Sequence, residues 1–139
     1  MTVAVNVNGQ LFDREHAVIS VFDHGFLYGE GIYETLRTYN GRPFLFDRHM
    51  SRLRRSAGML SLPVPVADGE IAARFAETMR AAGLGEPASA DSAGGNNEAY
   101  LRVLITRGVG DLSYDPAATP TTSIVVIAKP HLDPAPSVF

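Results

Sequence analysis

The sequence contains no cysteine and only one lysine, Lys129. The absence of cysteine excludes disulfides, thiolate-ligated zinc sites and thiolate nucleophiles. A net charge of −3 disfavours a nucleic-acid partner, because phosphates attract a basic surface. The first residues lack a basic flank, and no window approaches the roughly 20 apolar residues that span a membrane. We therefore expect a cytoplasmic protein that binds neither nucleic acid nor a membrane.

The composition predicts one folded domain. Hydrophobic residues make up 45% of the 139 residues and charged residues 19%, which is typical of a globular domain rather than a disordered chain. A chain of this length buries roughly two thirds of the surface that it exposes when unfolded. We place the domain at residues 1–129. Residues 130–139 are rich in proline, and we interpret them as the start of an interdomain linker.

Two Asn-Gly pairs, Asn8-Gly9 and Asn40-Gly41, predict two hairpins in the first half of the chain. Asn-Gly readily adopts the positive φ angles of a type I′ turn between two antiparallel strands. The flanking β-forming segments are residues 3–7 and 10–12 for the first pair, and residues 31–39 and 43–46 for the second. We also expect residues 17–19 to pair near the first hairpin, so that the chain begins with antiparallel sheet.

Apolar residues at helical spacing predict two helices after the second hairpin. The first helix has Asp47 as its N-cap. Its apolar stripe consists of Phe46, Met50, Leu53, Ala57 and Leu60. The second helix begins after Asp68 and ends at Gly83. Its inward residues are Ile71, Phe75, Met79 and Ala82. Two helices packed against an antiparallel sheet give an α+β fold.

The last third of the chain predicts a loop followed by two strands. Residues 86–97 consist almost entirely of small and polar residues, which indicates an exposed loop. In residues 100–107, side chains alternate between two faces of a strand. One face carries Leu101, Val103 and Ile105, and the other carries Tyr100, Arg102, Leu104 and Thr106. The β-branched run at residues 122–128 is typical of a buried strand.

Two segments contain most of the residues that could perform chemistry. Residues 23–34 read DHGFLYGEGIYE, and residues 49–53 read HMSRL. Three glycines among aromatic and acidic residues indicate backbone close to a flat or charged group, with tyrosines directed into the same space. We expect this segment to form part of a pocket.

Together with Tyr100-Leu101-Arg102, these segments resemble the amino-terminal half of the fold-type IV pyridoxal-phosphate enzymes. That family includes branched-chain and D-amino-acid aminotransferases and aminodeoxychorismate lyase. The resemblance runs from about Val5 to the end of the chain and implies the small α+β domain of such an enzyme. Family members bind the cofactor through a Schiff-base lysine in a second domain, whereas Lys129 lies where the family has a strand end. We therefore expect half an enzyme, which neither binds the cofactor covalently nor turns over alone.

The resemblance also implies roles for five residues. Arg52 corresponds to the arginine that contacts the phosphate of pyridoxal 5′-phosphate, although spacing alone fits a solvated helix face. Tyr100 and Arg102 correspond to residues on the substrate's carboxylate side, and Tyr33 to an aromatic residue of the side-chain pocket. Tyr28 corresponds to a residue that reaches the neighbouring subunit, which implies a homodimer. We expect Arg52 and the three tyrosines to converge on one cavity.

Four further features are assigned lesser roles. Glu34 is expected to support the site, because the family's proton carrier is a lysine and not a carboxylate. His49 is expected to pack beside it. His24 lacks the spacing of a metal ligand, and no metal is expected. Gly108-Val109-Gly110 follows a strand as phosphate-binding loops do, but it opens no helix and is weak evidence alone.

The function implied by the resemblance is transfer of an amino group between a branched-chain-type amino acid and 2-oxoglutarate. Two alternatives remain within the family, namely aminodeoxychorismate lyase and D-amino-acid aminotransferase. A third alternative, of another class, is a non-catalytic module that dimerises or binds a phosphorylated ligand through Arg52.

Overall fold

The computed structural model describes residues 2–85 and 97–132, in which six antiparallel strands form one sheet. The strands are β1 (Ala4–Val7), β2 (Gln10–Asp13), β3 (Gly31–Tyr39), β4 (Arg42–Pro43), β5 (Ala99–Thr106) and β6 (Ser123–Pro130). They lie in the order β2-β1-β6-β5-β3-β4. The helices are α1 (His24–Tyr28), α2 (Phe46–Met59) and α3 (Asp68–Ala81), with a 3₁₀ turn at Pro116–Ala118. The two long helices cover one face of the sheet, which confirms the α+β class.

Both predicted hairpins are present, but the second strand of the second hairpin is Arg42–Pro43 and not residues 43–46, because α2 already begins at Phe46. Asn8 and Gly9 have φ angles of 52° and 93°, and Asn40 and Gly41 have φ angles of 53° and 75°. These left-handed conformations are the ones that Asn and Gly adopt most readily. At Gly41 a side chain is also excluded by space, because a Cβ atom there would collide with the carbonyl oxygen of Gly85.

The prediction that residues 17–19 pair as a strand is wrong. They form no ladder, and β1 is already paired on its two edges by β2 and β6. The segment does not pair with the free edge of β2 either, and instead it crosses the face of the sheet opposite the helices. There Ala17 and Ile19 border an apolar cavity of about 420 Å³ together with residues of β1 and β6.

Helix α2 follows the predicted apolar stripe, but Asp47 is not its N-cap. The N-cap is Leu45, at a φ angle of 55°, and it forms no side-chain capping bond. Phe46 begins the helix because its ring packs into the core, at 6.0 Å from the ring of Phe75. Asp47 lies in the first turn, where a negative charge interacts favourably with the helix dipole.

The predicted helix after residue 68 is confirmed as α3. It buries Ile71, Phe75 and Met79, and the chain turns at Gly83 with a φ angle of 76°. These side chains meet the buried stripe of α2 and the inward residues of the sheet in one hydrophobic core. The core joins the helices to one face of the sheet, which we call the helix-covered face.

The predicted alternation of β5 is also confirmed. Leu101, Val103 and Ile105 have no exposed surface and lie on the helix-covered face. Tyr100 and Arg102 point to the opposite side, which we call the open face. Strand β6 continues to Pro130, slightly beyond the expected domain boundary. Of the expected loop at residues 86–97, residues 86–96 lie outside the described residues, as does the tail at 133–139. Within the described ranges, no helix has the length and apolarity needed to cross a membrane.

Candidate functional site

The glycine-containing segment at residues 23–34 forms a short helix, which the sequence analysis did not predict. Asp23 caps α1 by accepting a hydrogen bond from the amide of Gly25 at 2.8 Å, and Gly29 ends the helix with a φ angle of 67°. A Cβ atom at Gly25 would collide with the side chain of Thr106. The glycine therefore allows α1 to lie directly against the end of β5.

Helix α1 is also attached to the loop that follows β5. The buried ring of His24 donates from Nε2 to the carbonyl oxygen of Asp111 at 2.7 Å. The carboxylate of Glu30 pairs with Nε of Arg107 at 2.9 Å. The side chain of His24 is thus occupied by protein groups. On the same helix, the ring of Tyr28 packs 4.9 Å from His24 and 4.8 Å from Tyr114 of the loop.

Arg52 is held by a buried carboxylate. Glu34 is only 5% exposed, and it accepts hydrogen bonds from Nε of Arg52 at 2.8 Å and from Nη2 at 2.7 Å. His49 bonds to the same carboxylate through Nδ1 at 2.7 Å. Glu34 was expected to support the site and His49 to pack beside it. Their side chains form one hydrogen-bonded cluster with Arg52. Arginine forms such two-point bonds because its guanidinium is a rigid planar fork.

The ionisation of this cluster is fixed by its own contacts. The hydrogen bonds from Arg52 hold the pKa of Glu34 below its ordinary value, against the opposing effect of burial, and His49 adds to the lowering. The same carboxylate raises the pKa of Arg52. Glu34 is therefore a carboxylate at neutral pH and unsuited to act as a general acid.

An open groove of about 580 Å³ lies along the outer side of α2, and Arg52 lines it. The other lining residues are Leu45, Asp47, Arg48, His49, Ser51 and Arg55. Arginine, imidazole and hydroxyl groups outnumber the single acidic side chain, so the groove suits an anion. The bonds to Glu34 use Nε and Nη2 of Arg52 and do not involve Nη1. This donor set fits a phosphate group.

A second cluster lies on the open face and contains three of the predicted site residues. Nη2 of Arg102 donates to the hydroxyl of Tyr100 at 2.7 Å. The guanidinium carbon of Arg102 lies 5.1 Å from the ring centre of Tyr33. The Nε atom of Arg102 is buried and has no hydrogen-bond partner within the described residues. Because an unpaired buried donor is destabilising, this atom indicates the place of a missing acceptor.

Lys129 belongs to the same open face, which the sequence analysis did not foresee. Its register partner is Tyr100, and its Nζ atom lies 4.8 Å from the centre of that ring. The only lysine of the chain thus borders the cluster of Arg102 rather than the groove of Arg52.

The expected convergence on one cavity is not seen in direct contacts. Tyr33 and Glu34 are successive residues of β3, so their side chains point to opposite faces, and Arg52 follows Glu34. Tyr28 lies on α1 and packs against Tyr114 of the loop that follows β5. In the described part of the chain, β4 pairs with β3 only at Thr38 and Tyr39. The edge of β3 around Tyr33 and Glu34 is therefore the border that the two arginine clusters share.

The bond between Glu34 and Arg52 was not predicted from the sequence, although a pattern for it exists. In β3, the side chain of Glu34 points to the same face as those of Leu36 and Thr38, which are both buried. An acid in line with core residues requires a cationic partner. The two motifs expected to form the site each contain one half of that pair.

One family model and several known proteins are similar to this chain. Residues 31–138 match the family model described as Amino-transferase class IV. A Methanocaldococcus jannaschii protein with a provisional branched-chain-amino-acid aminotransferase name is 37% identical over 130 residues, covering 92% of this chain and 41% of that protein. A Bacillus subtilis aminodeoxychorismate lyase is 48% identical over 67 residues, covering 48% of this chain and 23% of the lyase.

Solved structures show the same fold. The branched-chain aminotransferase of Thermoproteus uzoniensis with norvaline has 30% identity and a TM-score of 0.73, covering 91% of this chain and 40% of that one. The branched-chain amino acid aminotransferase of Escherichia coli has 26% identity and a TM-score of 0.74, covering 94% of this chain and 42% of that one. The chain thus spans about two fifths of the length of such relatives.

Proposed function

Because this chain belongs to the class IV aminotransferase family, we propose that it is the small domain of a pyridoxal-phosphate-dependent aminotransferase. The proposed substrates are a branched-chain-type amino acid and 2-oxoglutarate, and the proposed compartment is the cytoplasm. The branched-chain names of the archaeal relative and of the solved structures support this choice. We propose that residues 1–129 form this domain and that a second domain supplies the lysine that bears the cofactor.

Pyridoxal 5′-phosphate supplies an electron-accepting ring that activates the amino acid at Cα. Within this chain, Arg52 is the residue proposed to hold the phosphate. Among the arginines that line the groove, Arg52 is the one whose guanidinium is held by a buried carboxylate. The other side chains of the groove are mainly hydrogen-bond donors. A dianionic phosphate would accept hydrogen bonds from such a guanidinium at short range.

The observation that carries the proposal is the unpaired Nε atom of Arg102. A substrate carboxylate on the open face would neutralise a guanidinium that has no acidic partner in the described residues, and a small rotation of the Arg102 side chain would bring Nε to that carboxylate. Tyr100 holds the other side of Arg102, and the exposed ring of Tyr33 provides an apolar wall for the substrate side chain. Binding and orientation of the substrate are thus the proposed roles of Tyr33, Tyr100 and Arg102.

One ligand could contact both arginine clusters along the edge of β3. We propose that the cofactor lies across this edge, with its phosphate toward Arg52 and the substrate carboxylate toward Arg102. Tyr28 is proposed to face the site of a second subunit in a homodimer. Its place on α1, beside the exposed Tyr114, supports this role.

A chimeric enzyme tests the proposal. The segment of the Methanocaldococcus jannaschii relative that aligns with this chain is replaced by the chain, and glutamate formation from leucine and 2-oxoglutarate is measured. We expect turnover, and we expect Arg102→Met to lower kcat/KM by about 100-fold, because a charged pair with the carboxylate is lost. Arg80→Met, an exposed change on α3, is the matched control and should leave kcat/KM unchanged.

A folded chimera that binds the cofactor but forms no glutamate would contradict the aminotransferase proposal. An Arg102→Met chimera as active as the unmodified one would remove Arg102 from the substrate site. The same chimera assayed with aminodeoxychorismate tests the second candidate, a lyase, which is supported by the 48% identity to the Bacillus subtilis enzyme over 67 residues.

A further inference from the structure

We infer that Glu34 is a positioning residue, which together with His49 fixes the guanidinium of Arg52 in the orientation that binds a phosphate. The inference rests on the proposed function, because it deepens the role given there to Arg52. Glu34 itself lies within the helix-covered side of the sheet and would not contact the cofactor. It acts through the arginine.

The two sides of this ion pair differ in exposure. The side chain of Glu34 is 5% exposed, whereas that of Arg52 is 61% exposed. A salt bridge formed for stability alone between exposed groups contributes little, because water solvates both partners and long side chains lose conformational freedom. Here Glu34 has a fixed position on a β-strand, so its carboxylate orders the exposed side chain of Arg52.

The bonds between Glu34 and Arg52 fix the orientation of the guanidinium as well as its distance from the carboxylate. Glu34 uses both of its oxygens, and it takes Nε and Nη2 of Arg52 rather than a single nitrogen. Two parallel bonds fix the plane of a guanidinium as well as its position. His49 adds a third bond to the carboxylate and prevents it from rotating freely. Nη1 of Arg52 is not used in this arrangement, and Arg52 lines the groove.

Positioning and simple electrostatics predict effects of opposite sign on anion binding. If Glu34 acted only as a nearby negative charge, its replacement by glutamine would strengthen binding of an anion in the groove. If Glu34 orders Arg52, the same replacement would weaken that binding, since the guanidinium would have to be ordered by the ligand itself.

The experiment uses the chain in solution with two probes, pyridoxamine 5′-phosphate and pyridoxamine, which lacks the phosphate. Binding and the Nε–H resonance of Arg52 are followed by NMR on isotope-labelled protein. We expect Glu34→Gln to weaken binding of the phosphorylated probe by about tenfold, equivalent to about 1.4 kcal/mol. We also expect faster solvent exchange of the Nε–H proton of Arg52. Glu34→Asp, which keeps the charge, should recover part of both effects.

Glu70→Gln is the matched control, since it also removes a carboxylate that pairs with an arginine of a helix, in this case Arg74 on α3. It should change neither readout. Equal or tighter binding in Glu34→Gln, with binding lost in Arg52→Met, would overturn the positioning role and leave the phosphate role of Arg52 intact. If Glu34→Gln loses its folded spectrum, unchanged binding and exchange in Glu34→Asp would overturn the inference instead.

A different result would count against the proposed function itself. If the unmodified chain binds the phosphorylated probe no more tightly than pyridoxamine, or if Arg52→Met binds it equally well, then Arg52 is not the phosphate ligand. Both the phosphate role and the positioning role would then be excluded.

Discussion

Two arginines flank strand β3 on opposite faces, and their surroundings differ. Arg52 is largely exposed, yet two of its nitrogens bond to the buried carboxylate of Glu34. Arg102 is half-buried, yet the only hydrogen bond of its side chain in the described residues goes to the neutral hydroxyl of Tyr100. The arginine nearer to water has an acidic partner, whereas the more buried one has none among the residues described.

Under the proposed function, the difference corresponds to two ways of preparing a cation for an anionic ligand. At Arg52, the buried acid sets the direction of the guanidinium, and the exposed remainder would contact the phosphate. At Arg102 no acid is present among the described residues, and the substrate carboxylate would complete the bonding. An incompletely bonded buried donor lowers stability, so its presence in a native structure needs an explanation, and the one we propose is an acceptor supplied by a ligand.

The largest expected effect concerns stability. Replacement of Glu34 by alanine removes three hydrogen bonds to charged or ring groups and should lower the free energy of unfolding by about 2–3 kcal/mol. Arg102→Met removes the hydrogen bond to Tyr100 together with an unpaired donor but keeps an apolar stem, so it should lower the free energy of unfolding by only about 1.5 kcal/mol. Denaturant unfolding of the two variants measures this contrast. If Glu34→Ala and Arg102→Met lower the free energy of unfolding equally, the bonds of Arg52 and Arg102 do not differ in strength as described.

The next effect concerns pH. The pKa of Glu34 in the folded chain is lowered, chiefly by the bonds from Arg52, so the carboxylate contributes stability that is complete above its unfolded pKa, near 4.5. That contribution decreases as the pH falls through the lower folded pKa. Acid titrations of stability should therefore be less steep below about pH 4.5 in Glu34→Gln than in the unmodified chain. Arg102→Met should leave the steepness unchanged, because no carboxylate contacts Arg102 in the described residues.

A second carboxylate provides a control for that pH measurement. Burial raises the pKa of Glu98, but hydrogen bonds from the amides of Gly41 and Asn40 and from Thr38 outweigh it, so the pKa is lowered overall. Glu98→Gln should also reduce the acid dependence, without affecting Arg52. If both glutamine variants lose stability with falling pH as steeply as the unmodified chain, the assigned pKa directions are wrong.

The smallest expected effect is at Tyr100. Tyr100→Phe removes the acceptor that Arg102 has within the described residues and should lower the free energy of unfolding by about 0.5–1.5 kcal/mol. Addition of a carboxylate such as 4-methylpentanoate should restore stability to Tyr100→Phe, and it should do so less in Arg102→Met. Thermal unfolding with and without the carboxylate measures this difference. Equal restoration in both variants would place carboxylate binding elsewhere.

Much of the fold could be predicted because it follows from local rules. Positive φ angles at Asn-Gly pairs define the two hairpins, and the 3.6-residue and two-residue periods define the long helices and β5. The errors arose where tertiary contacts decide. Leu45 caps α2 in place of Asp47 because Phe46 enters the core, and residues 17–19 form no strand because Ala17 and Ile19 lie against the open face of β1 and β6.

The site could be predicted only in part for a similar reason. The shared face of Tyr100 and Arg102 follows from strand alternation within one segment. The bond from Glu34 to Arg52 joins segments 18 residues apart, and it requires that α2 pack over the end of β3 that carries Glu34. The separation of Arg52 from Tyr33 by the thickness of a strand could not be read from motifs that record only which residues are present.

The attachment of α1 to the loop after β5 has a consequence for variation among relatives. Tyr28 is carried by a helix whose position depends on Asp111, Arg107 and Val109, all about eighty residues away in the chain. A single insertion or deletion in that loop would shift the tyrosine without altering any residue of its own motif. The role proposed for Tyr28 would then change with the length of the loop, while the recognisable amino-terminal motif stays the same.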